Sequence, residues 1–305
     1  MEYRLCGEFP SMRTDIHQLQ KITGKTFRKA KQWYLVYLGS QALVLVLAIA
    51  SILARLSPNL VALSAFLCVL ATEFFRWKSD AWKSEGESAK RKWETVDALG
   101  LLPDSRDLAD WIASKSKGFL SDVTPDEIQG SQFSSRQPKG HLRALENVLE
   151  SAWWSKHESR RMGTLLAIML AVIVTVALAV LSLSIGTLQT ADVKQTRPTV
   201  QNVGGVICSV LAFVLSINLV RLLQEFTAFS REAAVIVRRC NEALESSDVT
   251  ERDALFIMHD YQSARNSAPL LPTFIWRLNR AHLQEQWKRF RPKIKVRSSS
   301  GGSSC

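Results

Sequence analysis

Acidic residues, paired cysteines and clustered histidines are all scarce in this chain of 305 residues, and each scarcity removes a class of chemistry. The five cysteines, Cys6, Cys68, Cys208, Cys240 and Cys305, are an odd number with no two at metal-ligand or redox-motif spacing. A disulfide scaffold or a zinc site is therefore not expected. The five histidines, His17, His141, His157, His259 and His282, show no HxxxH or HExxH spacing, and no P-loop, GxSxG or GxGxxG occurs. Neither catalysis nor a resident cofactor or metal is expected. The first thirty residues carry charge throughout and have no apolar core, so a cleavable signal peptide is not expected. Lys plus Arg is 39 against 28 for Asp plus Glu, a net charge of +11, which fits either nucleic acid or an anionic membrane face as partner.

What is present favours the membrane. Residues 34–54 are 21 residues without a charge, reaching about 31 Å as a helix, the thickness of a bilayer's hydrocarbon core. After a tight connection, residues 58–72 form a second uncharged run, which lengthens to a span if Glu73 is tolerated near its end. Residues 162–191 are uncharged for 30 residues and 198–220 for 23, with a polar turn between them. Four crossings return every long polar segment to one side. Of the 39 lysines and arginines, 36 fall on that side, and only Arg55, Lys194 and Arg197 lie in the opposite loops. The excess predicts that both termini and the central segment are cytoplasmic.

The expected fold is thus an all-α membrane protein of two transmembrane helical hairpins with helical cytoplasmic extensions. Its expected parts are a cytoplasmic N-terminal segment (1–33), a first hairpin (34–76), a helical stalk with a flexible insert (77–161), a second hairpin (162–220), C-terminal helices (221–297) and a disordered tail (298–305). The stalk carries Phe75, Trp82, Ala89 and Val96 at sevenfold spacing. After the fourth block, Leu222, Phe226, Phe229, Ala233, Ile236, Cys240 and Ala243 alternate spacings of four and three, a coiled-coil seam through which copies are expected to assemble. Each half of the chain repeats one order: a basic aromatic lead, a hairpin, a helical extension and a Leu-Pro pair, Leu102-Pro103 and Leu271-Pro272. Residues 103–140 are rich in turn formers and read as the flexible insert.

Ionisable or strongly polar groups near the spans are few. Glu73 and Asn218 stand close to the cytoplasmic ends. Glu73 reads either as snorkelling or pairing with Arg76, or as a pore-mouth ring in an oligomer. Gly204, Gly205, Ser209 and Ser216 permit close helix approach, so the fourth span is the expected pore-lining helix. A four-span monomer encloses little space, and a pore therefore implies a homo-oligomer.

In order of parts, FRKAKQWYLVYLGSQ entering a tight hairpin, WKSEGESAKRKWETVDALGLLP leaving it, and the terminal RDALFIMHDYQSARNSAPLLPTFIWRLNRAHLQEQ resemble the SMODS-associating four-transmembrane effector family of CBASS-type bacterial antiphage systems. The resemblance covers nearly the whole layout, and the central insert departs most. The related two-span SMODS-associated effectors share the opening. Membership would imply a multi-pass protein of the bacterial inner membrane, working as sensor and effector in one chain. A CD-NTase-type nucleotidyltransferase makes a cyclic oligonucleotide on phage infection, and the effector binds it on the cytoplasmic side and permeabilises the membrane. No direct DNA or RNA binding is expected.

A cyclic oligonucleotide presents phosphates and flat bases, so its pocket needs Arg or Lys beside aromatic faces. Lys90, Arg91, Lys92 and Trp93, with Arg238 and Arg239, are the candidate clusters, although each also reads as a solvated or lipid-facing helix surface. The rival readings are a membrane scaffold whose seams recruit a partner, or a small channel or transporter, neither of them sensing a nucleotide.

Overall fold

The computed structural model describes residues 10–53, 58–101, 133–190 and 219–291, with residues 110, 111, 113–115 and 119 of the segment between. Residues 198–218 lie outside them, and with them Gly204, Gly205, Ser209, Ser216 and Asn218, as do the tail and most of 103–132. The chain is all-α, as expected: among the described residues there are six long helices and no strand. These are α1 (Pro10–Leu53), α2 (Pro58–Leu99), α3 (His141–Thr190), α4 (Leu219–Glu245), α5 (Glu251–Ser267) and α6 (Thr273–Phe290). The chain divides into two compact units, Met1–Leu270 and Leu271–Cys305. The second unit holds α6, whose Arg280 guanidinium lies 4.7 Å from the Trp276 ring.

Local chemistry sets the helix ends. Pro58 starts α2, where a missing N–H and a fixed φ suit the first turn. Gly100, at φ 75°, closes it with a bond from its N–H to the Val96 carbonyl at 3.1 Å. Thr250 and Asp253 form a reciprocal capping box at the start of α5. That helix stops just before Pro269, which disfavours helical backbone at the residue preceding it.

Helices α1, α2 and α3 each run unbroken from an apolar half into a polar half. In the apolar halves large side chains point outward: Leu43, Phe66, Leu67, Val172 and Leu178 are all more than half exposed. Among the described residues, one helical segment, His141–Val176, is long and apolar enough by length and composition to cross a membrane, and only 22% of its most apolar stretch is buried inside the protein.

In the polar halves the pattern inverts. Leu19, Ile22 and Ala30 of α1 face inward, α1 packs along α2, and α3 packs along α4. Leu145, Leu149 and Ala152 of α3 are fully enclosed, and α5 lies against both α3 and α4. The heptad seam of α4 is real, since Phe226, Phe229, Ala233, Ile236 and Cys240 are buried. It is occupied within the chain by α3 and α5, so these positions are core rather than a free face for a second copy. Burial in this seam pushes the Cys240 thiol up to about 12, which makes it a small hydrophobe and not a nucleophile.

The stalk seam is covered in part by the segment read as a flexible insert. Phe119 stacks on Trp82 with ring centroids 5.7 Å apart, and Phe133 stacks on Trp93 at 5.5 Å. The Lys25 and Lys29 ammonium groups lie 4.7 and 4.9 Å from the Phe119 ring, within cation–π range. Ser134 donates to Glu150 from both its N–H, at 2.8 Å, and its hydroxyl, at 2.7 Å. The described parts of this segment are therefore anchored to α1, α2 and α3.

Candidate functional site at the boundary of the two halves

Residues of three helices line a single cleft of about 360 Å³, and in α1 and α2 they stand where the apolar half gives way to the polar half. From α1 come Tyr34 and Tyr37, from α2 Arg76, Asp80 and Lys83, and from α4 Arg221 and Glu225. Residues 266–270, at the C-terminal end of α5, close it.

Charges inside the cleft alternate in sign. Arg221 Nε donates to Glu225 Oε1 at 2.7 Å, one turn along α4. Arg76 Nε stands 4.0 Å from Asp80 Oδ2, one turn along α2. Lys83 Nζ donates to the carbonyls of Asn266, at 2.8 Å, and Ala268. A cation at the carbonyl end of α5 satisfies groups that the helix itself leaves open and complements its dipole. Burial lowers the Lys83 pKa, against the opposing pull of Glu87 and Asp80.

Beneath the cleft a buried charge network holds α5 to α2. Arg265 donates through Nε to Glu87 at 2.7 Å and through both terminal nitrogens to Glu94 at 2.6 and 3.0 Å. All three side chains are less than a tenth exposed. Gln262 adds a bond to Glu94 at 3.4 Å, Lys90 stands 3.8 Å from the same carboxylate, and Tyr261 shares a 2.9 Å hydrogen bond with Ser155 of α3. Burial alone would raise the Glu94 carboxyl, but the Arg265 and Lys90 charges override it and hold the group below its usual value. Burial likewise pulls Arg265 down, and Glu94 and Glu87 more than reverse the effect. Two carboxylates against two cations leave the network neutral, the condition under which buried ions are tolerated.

The nucleotide-binding candidates are placed elsewhere. Trp93 is buried with Phe133 stacked on it, and Lys90 is half-buried beside Glu94. Arg91 and Lys92 are half-buried on α2. Arg238 is exposed on α4, 3.8 Å from Glu242, and Arg239 donates to Asp260 of α5 at 2.5 Å. None of the six lines the cleft. Glu73 is exposed on α2, and Arg76 pairs with Asp80. Among the described residues no group of three or more His, Cys, Asp or Glu is placed to hold a metal ion.

Sequence reasoning missed the cleft, although a signal for it exists. Arg76 with Asp80 and Arg221 with Glu225 are the same i, i+4 pair, each following an apolar block. Reading those charges only as flanks of apolar blocks conceals the match. The chain matches no family model, no curated protein and no solved structure.

Proposed function

We propose that this chain is a four-span effector of the bacterial inner membrane. It binds a cyclic oligonucleotide on the cytoplasmic side and, as an oligomer, permeabilises the bilayer in antiphage defence. The observation that carries the membrane part is the inversion along α1, α2 and α3. Large apolar side chains face outward in one half and inward in the other, on helices that do not break between. An exposed apolar surface of that extent is a liability in water and an ordinary feature in lipid. The nucleotide part is supported by the family resemblance and by the basic character of the polar half, where Arg238 and Arg239 lie at the surface. The cleft stands where the two halves meet, so a change in bundle packing has a short path to the spans.

The test is dye influx into liposomes carrying the purified protein, with a panel of cyclic di- and trinucleotides on the cytoplasmic face. Influx driven by one member is the expected result. If no member binds or changes permeability, and the product of a cognate nucleotidyltransferase also fails, the sensor-effector reading falls. The scaffold reading is favoured by one specific observation, the enclosure of Trp93, which withdraws the nominated stacking platform from solvent. Nucleotide binding to purified protein separates the two.

A further inference from the structure

We propose that the boundary cleft binds a zwitterionic phospholipid headgroup, with an ammonium and a phosphate seated together as in phosphatidylethanolamine, and the acyl chains lying along the apolar half. The inference rests on the membrane reading above and adds a ligand that the nucleotide reading does not contain.

The first argument is charge. Arg221 donates to Glu225 through Nε and Arg76 Nε stands 4.0 Å from Asp80, and among the described residues no hydrogen bond engages the terminal nitrogens of either. The outer edge of each guanidinium is thus left for phosphate oxygens, which suit its planar fork of donors. Asp80 and Glu225 stand in the same cleft as acceptors for an ammonium. Tyr34 and Tyr37, with ring centroids 5.9 Å apart, add aromatic faces of the kind that attract alkylammonium groups. Lys83, the third cation of the cleft, is taken up by the Asn266 and Ala268 carbonyls, so a ligand of one phosphodiester and one ammonium answers the remaining groups of both signs. A cyclic oligonucleotide, with two or more phosphates and no cation, offers nothing to Asp80 and Glu225.

The second argument is position. Tyr34 is followed by Leu35, 62% exposed, Arg76 by Trp77, 60% exposed, and Arg221 is preceded by Val220, 45% exposed. On three separate helices a cleft residue and an exposed apolar residue therefore stand at the same level along the axis, on faces about 100° apart. A headgroup seated in the cleft, with acyl chains running out around the helix exterior, reaches both levels of chemistry. The cleft's 360 Å³ is near the small end of ligand sites, which run from about 300 to 1,000 Å³, and suits a headgroup.

The experiment is native mass spectrometry and thermal unfolding of the full chain, exchanged into micelles doped with phosphatidylethanolamine or with phosphatidylglycerol, which keeps the phosphate and lacks the ammonium. One phosphatidylethanolamine is expected to stay bound per chain and raise the unfolding midpoint, with retention about tenfold above phosphatidylglycerol. Asp80→Asn with Glu225→Gln is expected to bring the two lipids to parity, and Arg76→Gln with Arg221→Gln to lose both. Asp80 is exposed, so Asp80→Asn alone remains a usable variant if a double variant misfolds, and it should reduce the preference. Free phosphoethanolamine should displace the lipid only at far higher concentration; equal potency would overturn the lipid as source. Equal retention of both lipids by the unmodified chain, an unchanged preference in Asp80→Asn, or one-for-one displacement by a cyclic dinucleotide would also overturn the proposal. A chain that purifies as a stable monodisperse species without detergent would instead refute the membrane reading, an outcome visible before any lipid is added.

Discussion

Helix α2 is built two opposite ways along one continuous rod. Near its start Leu63, Phe66, Leu67 and Leu70 face away from the protein, and near its end Glu87 and Glu94 face into it. Either arrangement alone would be a defect in a water-soluble helix, where apolar groups go in and charges go out. Together they fit the membrane reading proposed above, in which the two stretches meet different surroundings. Among the described residues the outward side chains are left more than half exposed. The inward glutamates have a partner, since Arg265 of α5 bonds to both. The inward stretch is completed by a residue more than 170 positions away.

The sharpest way to disturb the inward stretch is Arg265→Met, which leaves Glu87 enclosed without its cation and Glu94 with Lys90 alone. Removing one side of a buried ion pair costs about 3–5 kcal/mol, and thermal unfolding in mild detergent should show a midpoint far below that of the parent. A midpoint within error of it would mean that Glu87 and Glu94 reach water. The outward stretch is probed by Leu67→Lys. A lysine at the centre of a spanning helix costs about 2.5–3.5 kcal/mol on insertion, so the fraction of chain resisting alkaline carbonate extraction should fall. If that fraction does not change, this face does not meet lipid.

A smaller effect tests the polar half through pH. Glu158 of α3 is 9% exposed, and among the described residues its Oε1 has no hydrogen-bond partner. Burial pushes its carboxyl from 4.5 up to about 7, against the opposing charges of Lys31 and Lys90. The folded chain then holds more protons than the unfolded one between those values, so this group's contribution to stability falls as pH rises through that window. Glu158→Gln is expected to raise the unfolding midpoint at pH 8, by an amount equivalent to at most roughly 3 kcal/mol, and to do little at pH 4.5. An equal gain at both pH values would show that the carboxyl does not titrate there. The smallest effect is expected at the α5 cap, where Thr250→Ala removes the capping box for about 1 kcal/mol. Because α5 carries Arg265, hydrogen exchange should report the loss as faster opening of α5, with α1 unaffected.

The all-α fold, the apolar blocks and the α4 seam were legible because each is a local pattern with a helical period. What the seam packs against was not legible, since a heptad stripe reads the same whether its partner lies in the same chain or another. The basic cluster around Lys90 and Trp93 misled for a similar reason. Its composition suits a phosphate and a base, but Phe133 from the insert and Glu94 one turn along α2 are the groups that meet it. Arg265 carried no signal at all: only the fold brings it to Glu87 and Glu94. The cleft was half visible, because the Arg76–Asp80 and Arg221–Glu225 pairs each follow an apolar block in the sequence, while the backbone carbonyls that meet Lys83 leave no such trace.

The unbroken length of α3 has a mechanical meaning. Its 50 residues contain no proline, and at 1.5 Å per residue they make a rod of about 75 Å. Gly163, near the boundary, lies where an added Cβ would stand 3.4 Å from Thr227 of α4, so the two helices touch closely at that level. A stiff rod gripped near its middle acts as a lever, and a tilt of about 10° about that contact would swing an end roughly 40 Å away through about 7 Å. A displacement of one end is thereby matched by an opposite displacement of similar size at the other.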